Sequence, residues 1–157
     1  MDENAISHYI TDTFDGVDVV IAAGDSYFIY DPGQQLPPDR QHPFATIVTT
    51  DAHDSVSKLS RPAIFRLNVG VGKDTFHALF GSRSQVPGAE TGVDRGYDFS
   101  ALDQIMPHPV YGKMFWICVL NPSAPTFETL RPLLAEAYGR AVERTRKLFR
   151  TVFRDGS

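Results

Sequence analysis

Two β-rich runs, Val17–Ala23 and Ser26–Tyr30, stand end to end with only Gly24-Asp25 between them. No other stretch narrows the fold as much. A two-residue link containing glycine suits a tight hairpin turn, which commits both runs to one antiparallel pair. Upstream, Asp2 can cap a first helix with Ile6, Tyr9, Ile10 and Phe14 at spacings of three and four, closed by Asp15-Gly16. Downstream, residues 31–43 hold four prolines and one glycine and read as a loop, at a length where ordered loops are often functional.

Further strands are expected at Phe44–Thr50, Ala63–Val69 and Met114–Leu120. In the second of these, Ile64, Arg66 and Asn68 point one way and Phe65, Leu67 and Val69 the other. Asp51–Ser60 reads as a loop or short helical turn. Asp74–Phe80 reads as a short helix with Phe76, Leu79 and Phe80 inward, ended by Gly81. Ser82–Tyr97 is a Gly-rich polar loop, and Asp98 or Ser100 caps a helical turn carrying Leu102 and Ile105. From Thr126, Phe127, Leu130, Leu134, Ala137 and Ala141 keep a helical period, with Pro132 expected to break or kink that helix early. The order predicts an α+β fold: a mainly antiparallel five-stranded sheet, helices packed on one face, and a long C-terminal helix.

The 157 residues suit a single domain spanning 1–157, and 42% hydrophobic with 22% charged residues is ordinary for a soluble globular chain. No apolar run is long enough to cross a bilayer, so no membrane partner is expected. The acidic start MDENAISHYI lacks the pattern of a secretory signal, and cytoplasm is the expected compartment. Cys118, the lone cysteine, excludes an internal disulfide and a cysteine zinc cage. Net charge is −4, unlike a protein coated for nucleic acid. Residues 1–125 nevertheless carry eight Lys/Arg against fifteen Asp/Glu, and 126–157 carry seven against four. The asymmetry marks an acidic body with a basic face or, more simply, an ordinary solvated helix.

The richest chemistry gathers around PHPVYGKMFWICVLN, Pro107–Asn121. Its prolines forbid a regular helix through His108, so the polar residues sit on a stiff entrance to a strand. Arg66, Asn68, His108, Tyr111 and Trp116 form the leading constellation. Arg66 offers a planar fork for carboxylate or phosphate, and Asn68 and Tyr111 can orient a ligand. His108 can pass or share a proton near neutral pH, and Trp116 can stack on a planar group. The competing reading makes Arg66 and Asn68 solvent-facing and His108 a turn cap. The functional reading expects His108→Ala and Arg66→Ala to weaken ligand binding while leaving the melting temperature nearly unchanged.

Other motifs carry less. Asp51, His53 and Asp54, with His42 nearby, could hold a metal, but neighbouring residues rarely converge, and a capping cluster is the better reading. Gly70-Val71-Gly72-Lys73-Asp74-Thr75 lacks the spacing of a phosphate-binding loop and reads as a turn with a helix cap. Arg140, Arg144, Arg146, Lys147, Arg150 and Arg154 line a basic C-terminal helix that could track phosphates, or simply complement the helix dipole. There is no Gly-x-Ser-x-Gly elbow, and Cys118 reads as an inert strand residue. No metal or cofactor is implied.

The strings HPFATIVT, RPAIFRLNVGVGKDTFHALFG, SALDQIMPHPVYGKMFWICVLNPS and TFETLRPLLAEAYGRA together resemble an uncharacterised family of small, mostly actinobacterial proteins, over nearly the whole chain. A looser resemblance runs to the MmcQ/YjbR-like proteins, through Pro43-Phe44, Phe65–Leu67, His108…Lys113…Trp116 and Ala137-Tyr138. That likeness implies a YjbR-like α/β shape, compared elsewhere with double-wing DNA-binding domains. Shape alone does not confer function.

The sequence therefore leads to a small-molecule-binding domain with a polar pocket rimmed by loops 31–43 and 82–97 and by His108–Trp116, with enzymatic use of that pocket left open. The alternative is a DNA-associated module using the basic helix. Monomer and homodimer are both compatible, the latter through apolar residues at the end of that helix.

Overall fold

The computed structural model describes residues 1–81 and 96–155, with side chains described to residue 150. Its centre is a six-stranded, wholly antiparallel sheet. The strands are β1 (Val17–Ala22), β2 (Asp25–Tyr30), β3 (Ala45–Val48), β4 (Arg66–Gly70), β5 (Met106–Pro107) and β6 (Trp116–Leu120), in the order β1-β2-β3-β4-β6-β5. Three α-helices accompany it among the described residues: α1 (Glu3–Thr13), α2 (Lys73–Phe80) and α3 (Ala124–Asp155).

The hairpin forms one residue earlier than expected. Ala22 pairs with Asp25, and Ala23 and Gly24, at φ 53° and 85°, are the turn. Two positive φ values suit the right-handed twist of the flanking strands. Asp25 thereby leaves the turn and opens β2 with its carboxylate buried.

The sheet has six strands instead of five. The extra one, β5, is only two residues long, too short to show alternation, and Pro107 is tolerated because β5 lies at the sheet edge. The strand expected at Met114 begins at Trp116, because Gly112–Met114 is a 3-10 turn and Phe115 is left-handed at φ 68°. Likewise, 98–103 is not helical. Asp98 accepts from the Ser100 amide and hydroxyl, and Leu102 is exposed. In α2, Phe76 is fully buried as expected but Leu79 faces solvent.

One sheet face is dry. Phe28, Ala45, Ile47, Leu67, Val69, Ile117 and Val119 meet Ile6 and Ile10 of α1, Phe76 of α2, and Phe127, Leu130, Leu134, Ala137 and Ala141 of α3 in one buried cluster. Each Val, Leu, Ile or Phe among them contributes roughly 1.5–3 kcal/mol on removal from water. Asp2 caps α1 through the Ala5 amide at 2.8 Å. Pro132 does not divide α3, which runs unbroken. Pro132 and Glu128, whose carbonyl loses its helical donor, are both on the exposed face of the helix.

Candidate functional site

The other sheet face is covered by loops. Antiparallel register sets Tyr27, Thr46, Asn68 and Cys118 side by side across β2, β3, β4 and β6. The two-residue period brings Arg66 and Trp116 to the same face. Above them lies a hollow of about 460 Å³, lined by Tyr27, His42, Pro43, Thr46, Val48, His53, Asp54, Arg66, Asn68, His108, Val110, Tyr111, Met114, Trp116 and Arg144. All five members of the leading constellation meet there. Loop 31–43 contributes His42 and Pro43, while residues 82–95 lie outside the described part of the chain.

Arg66 is the floor of this hollow, at 1% exposure. Its Nε donates to Asn68 Oδ1 at 3.0 Å. Nη1 donates to Asp54 Oδ1 at 3.1 Å and Ser57 Oγ at 2.9 Å, and Nη2 to Asp54 Oδ2 at 2.9 Å. A bidentate carboxylate cancels the charge, and only one of the five guanidinium N–H groups is left over. Burial works to raise the Asp54 carboxyl, but the hydrogen bonds and charge of Arg66 outweigh it and hold that carboxyl below its usual range. Asn68 passes the network on, donating from Nδ2 to Thr46 Oγ1 at 3.0 Å. Arg66 is thus a buried framework residue and not a free anion receptor.

His108 sits at the start of the β5–β6 hairpin. Its Nδ1 accepts from the Val110 and Tyr111 amides at 3.0 and 2.9 Å, so the proton of the neutral ring lies on Nε2. The hairpin closes through His108 N to Trp116 O at 2.9 Å and Gly112 N to His108 O at 3.0 Å. Burial first, then the Arg66 charge, pushes His108 down to about 3 against the opposing pull of Asp54. The expected proton shuttle is therefore a neutral ring at physiological pH, with one nitrogen committed to holding a turn. Tyr111 is half exposed, 5.0 Å from the His108 ring between centroids. Trp116 packs against Gly70 of β4, where an added Cβ would stand 3.0 Å from the indole and press the ring outward.

The Asp51-His53-Asp54 run disperses. Asp51 caps the Leu59 amide and the Ser60 hydroxyl, Asp54 goes to Arg66, and His53 Nε2 lies 3.2 Å from Asp25 Oδ2 and 3.3 Å from the Tyr27 hydroxyl. Among the described residues no cluster of His, Cys, Asp or Glu is arranged to hold a metal. The turn after β4 has no room for an anion either. Glu136 of α3 already accepts from Gly72 N at 2.7 Å and Thr75 Oγ1 at 2.5 Å. Cys118 is fully buried, and burial pushes its thiol up to about 12.

The described basic residues of α3, Arg140, Arg144, Arg146, Lys147 and Arg150, are all exposed. Arg146 pairs with Glu143 at 3.6 Å, whereas Arg144 lines the hollow. Sequence reasoning missed Asp54, Ser57 and Arg144 as members of the site, and Asp25 and Tyr27 beside His53. The one usable signal was Arg66 on a strand with buried neighbours, which demands a carboxylate partner somewhere. Nothing in the spacing said where.

Fold and hollow together define an α+β domain with a ligand-sized cavity on the loop-covered face of its sheet. The chain belongs to a family of unknown function, DUF6194, whose model matches residues 1–150. No curated protein matches it. No solved structure matches it. No helix among the described residues is long and apolar enough to cross a membrane.

Proposed function

We propose that this protein is a small-molecule-binding domain and that the 460 Å³ hollow is its ligand site. The observation that carries this reading is convergence: side chains from β2, β3, β4, β6, three loops and α3 line one open cavity of ligand size. Its wall mixes apolar Val110, Met114 and Trp116 with a few fixed polar groups, the usual make-up of a binding pocket. Trp116 offers a flat face for a planar group, Tyr111 and Asn68 orient it, and His108 supplies a neutral N–H. Arg66 supports these groups from below. His53, exposed and 3.2 Å from the buried Asp25 carboxylate, is the more accessible imidazole of the pocket.

The test uses the only tryptophan as reporter. Titration with neutral N-phenylnaphthylamine should quench Trp116 with one saturable site. Met114→Asp, at a 60% exposed wall position, should lower that affinity at least ~10-fold, about 1.4 kcal/mol, with the melting temperature unchanged. Absence of quenching, or an affinity untouched by Met114→Asp, would remove the hollow as the ligand site.

A further inference from the structure

The hollow has a neighbour. A second cavity of about 210 Å³ is lined by Tyr30, Leu36, Arg40, His42, Ala141, Arg144, Thr145 and Leu148. His42 and Arg144 belong to both, so they stand at the junction.

The charges there are unbalanced. Arg66, the obvious cation of the larger hollow, is neutralised by Asp54. Arg144 is different: among the described residues no carboxylate lies within ion-pair distance of it. Its side chain stays open to solvent at the mouth of both cavities, and its crowded setting and then the like charge of Arg140 one turn away disfavour the cation. Arg40 adds a second positive group to the smaller cavity, and among the described residues its charge is tied only to exposed Asp39 at 3.9 Å. The acids near the larger hollow are already engaged, Asp54 with Arg66 and Asp25 with Thr49 and His53. On a chain of net charge −4, the junction is a local cationic spot beside an apolar wall.

Resting on the reading above, we infer that the ligand is an aromatic anion: a flat ring system held against Trp116 and Met114, bearing one anionic group that meets Arg144 and His42 at the junction of the two cavities. A negative group there would relieve the unpaired arginine, and a guanidinium with free N–H donors can bind it in bidentate fashion. The smaller cavity leaves room for a substituent beyond the charge.

Two probes of the same ring system separate the claims. Neutral N-phenylnaphthylamine reads ring binding alone, and anilinonaphthalene sulfonate adds one negative charge. Both are followed by Trp116 quenching. The sulfonate should bind at least ~10-fold more tightly than the neutral probe, the size expected for one charge-assisted contact. Arg144→Gln should erase that preference, read as the ratio of the two affinities whatever the neutral affinity becomes. Arg140→Gln, which lies outside both cavities, should retain it. Neutral binding without a sulfonate preference, or a preference that survives Arg144→Gln, overturns this inference and leaves the hollow as a binding site. If neither probe quenches Trp116, the underlying reading falls with it.

Discussion

Leu67 and Arg66 are adjacent on β4, both buried, and they face opposite ways. Leu67 enters a cluster in which apolar side chains from three helices and the sheet fill space. Arg66 enters a network in which every stabilising contact is a directed hydrogen bond to a partner of matching geometry. The helix side tolerates exchange of one apolar shape for another of similar volume. The loop side does not, because removing one member leaves another polar group buried and unmet. Stability on the helix side follows volume, whereas on the loop side pairing counts as well, beside a smaller apolar cluster of Val48, Leu59, Phe99, Met106, Cys118 and Leu120. A ligand site needs fixed polar groups, and the proposed one lies on the loop side.

The largest break comes from Arg66→Met. It strands Asp54 in a buried setting and should cost about 3–5 kcal/mol in denaturant unfolding. Adding Asp54→Leu should restore much of that loss, whereas no second change of this kind rescues Leu67→Ala, whose cost of about 2–5 kcal/mol comes from the cavity left behind. The expectation that Arg66→Ala leaves the melting temperature unchanged is reversed by this burial. If Arg66→Met alone is as stable as the parent, the pairing account of this face is wrong.

Acid sharpens the same contrast. The folded His108 titrates at about 3 and the free group at 6.5, so between these values the unfolded chain binds a proton that the folded chain refuses. Stability is then complete above pH ~6.5 and declines as pH falls towards 3, by a few kcal/mol. Asp54, held low by Arg66, adds its own loss as pH falls below the usual carboxylate range. His108→Asn keeps an acceptor for the two turn amides and removes the titration, so its stability should be flatter from pH 6.5 to 4. Leu67→Ala should parallel the parent across the same range. An unchanged slope in His108→Asn would remove His108 from the account.

The smallest effect is local. Gly70→Ala puts a methyl against the Trp116 ring and should cost about 1–3 kcal/mol, with a shift in tryptophan emission. An unshifted spectrum would mean that the indole does not rest on that glycine.

The helix face was legible because its rules are periodic. Ile6 and Ile10, the alternation of Phe65, Leu67 and Val69, and the run from Phe127 to Ala141 each repeat at the spacing of their element, and each is buried together with its fellows. The site was legible only in part. Arg66, Asn68, His108, Tyr111 and Trp116 could be named as residue types at strand ends, and they do meet. Their partners could not, because the Asp54–Arg66 and Asp25–His53 pairs are set by loop paths and leave no periodic trace. The strand β5 escaped for a related reason: two residues, one of them proline, are recruited by their neighbour β6 and carry no propensity of their own.

Cys118 adds a practical consequence. It is the sole thiol, it faces Met106 across the β5–β6 ladder, and its sulfur donates to the Pro107 carbonyl at 3.6 Å. Modification needs the thiolate and access for the reagent, and this residue has neither while the short edge strand stays zipped. Alkylation by iodoacetamide therefore works as a clock for that seam, counting how often the last two-residue strand peels away. Because His108 follows directly on that strand, the same clock times the opening of the hollow's rim.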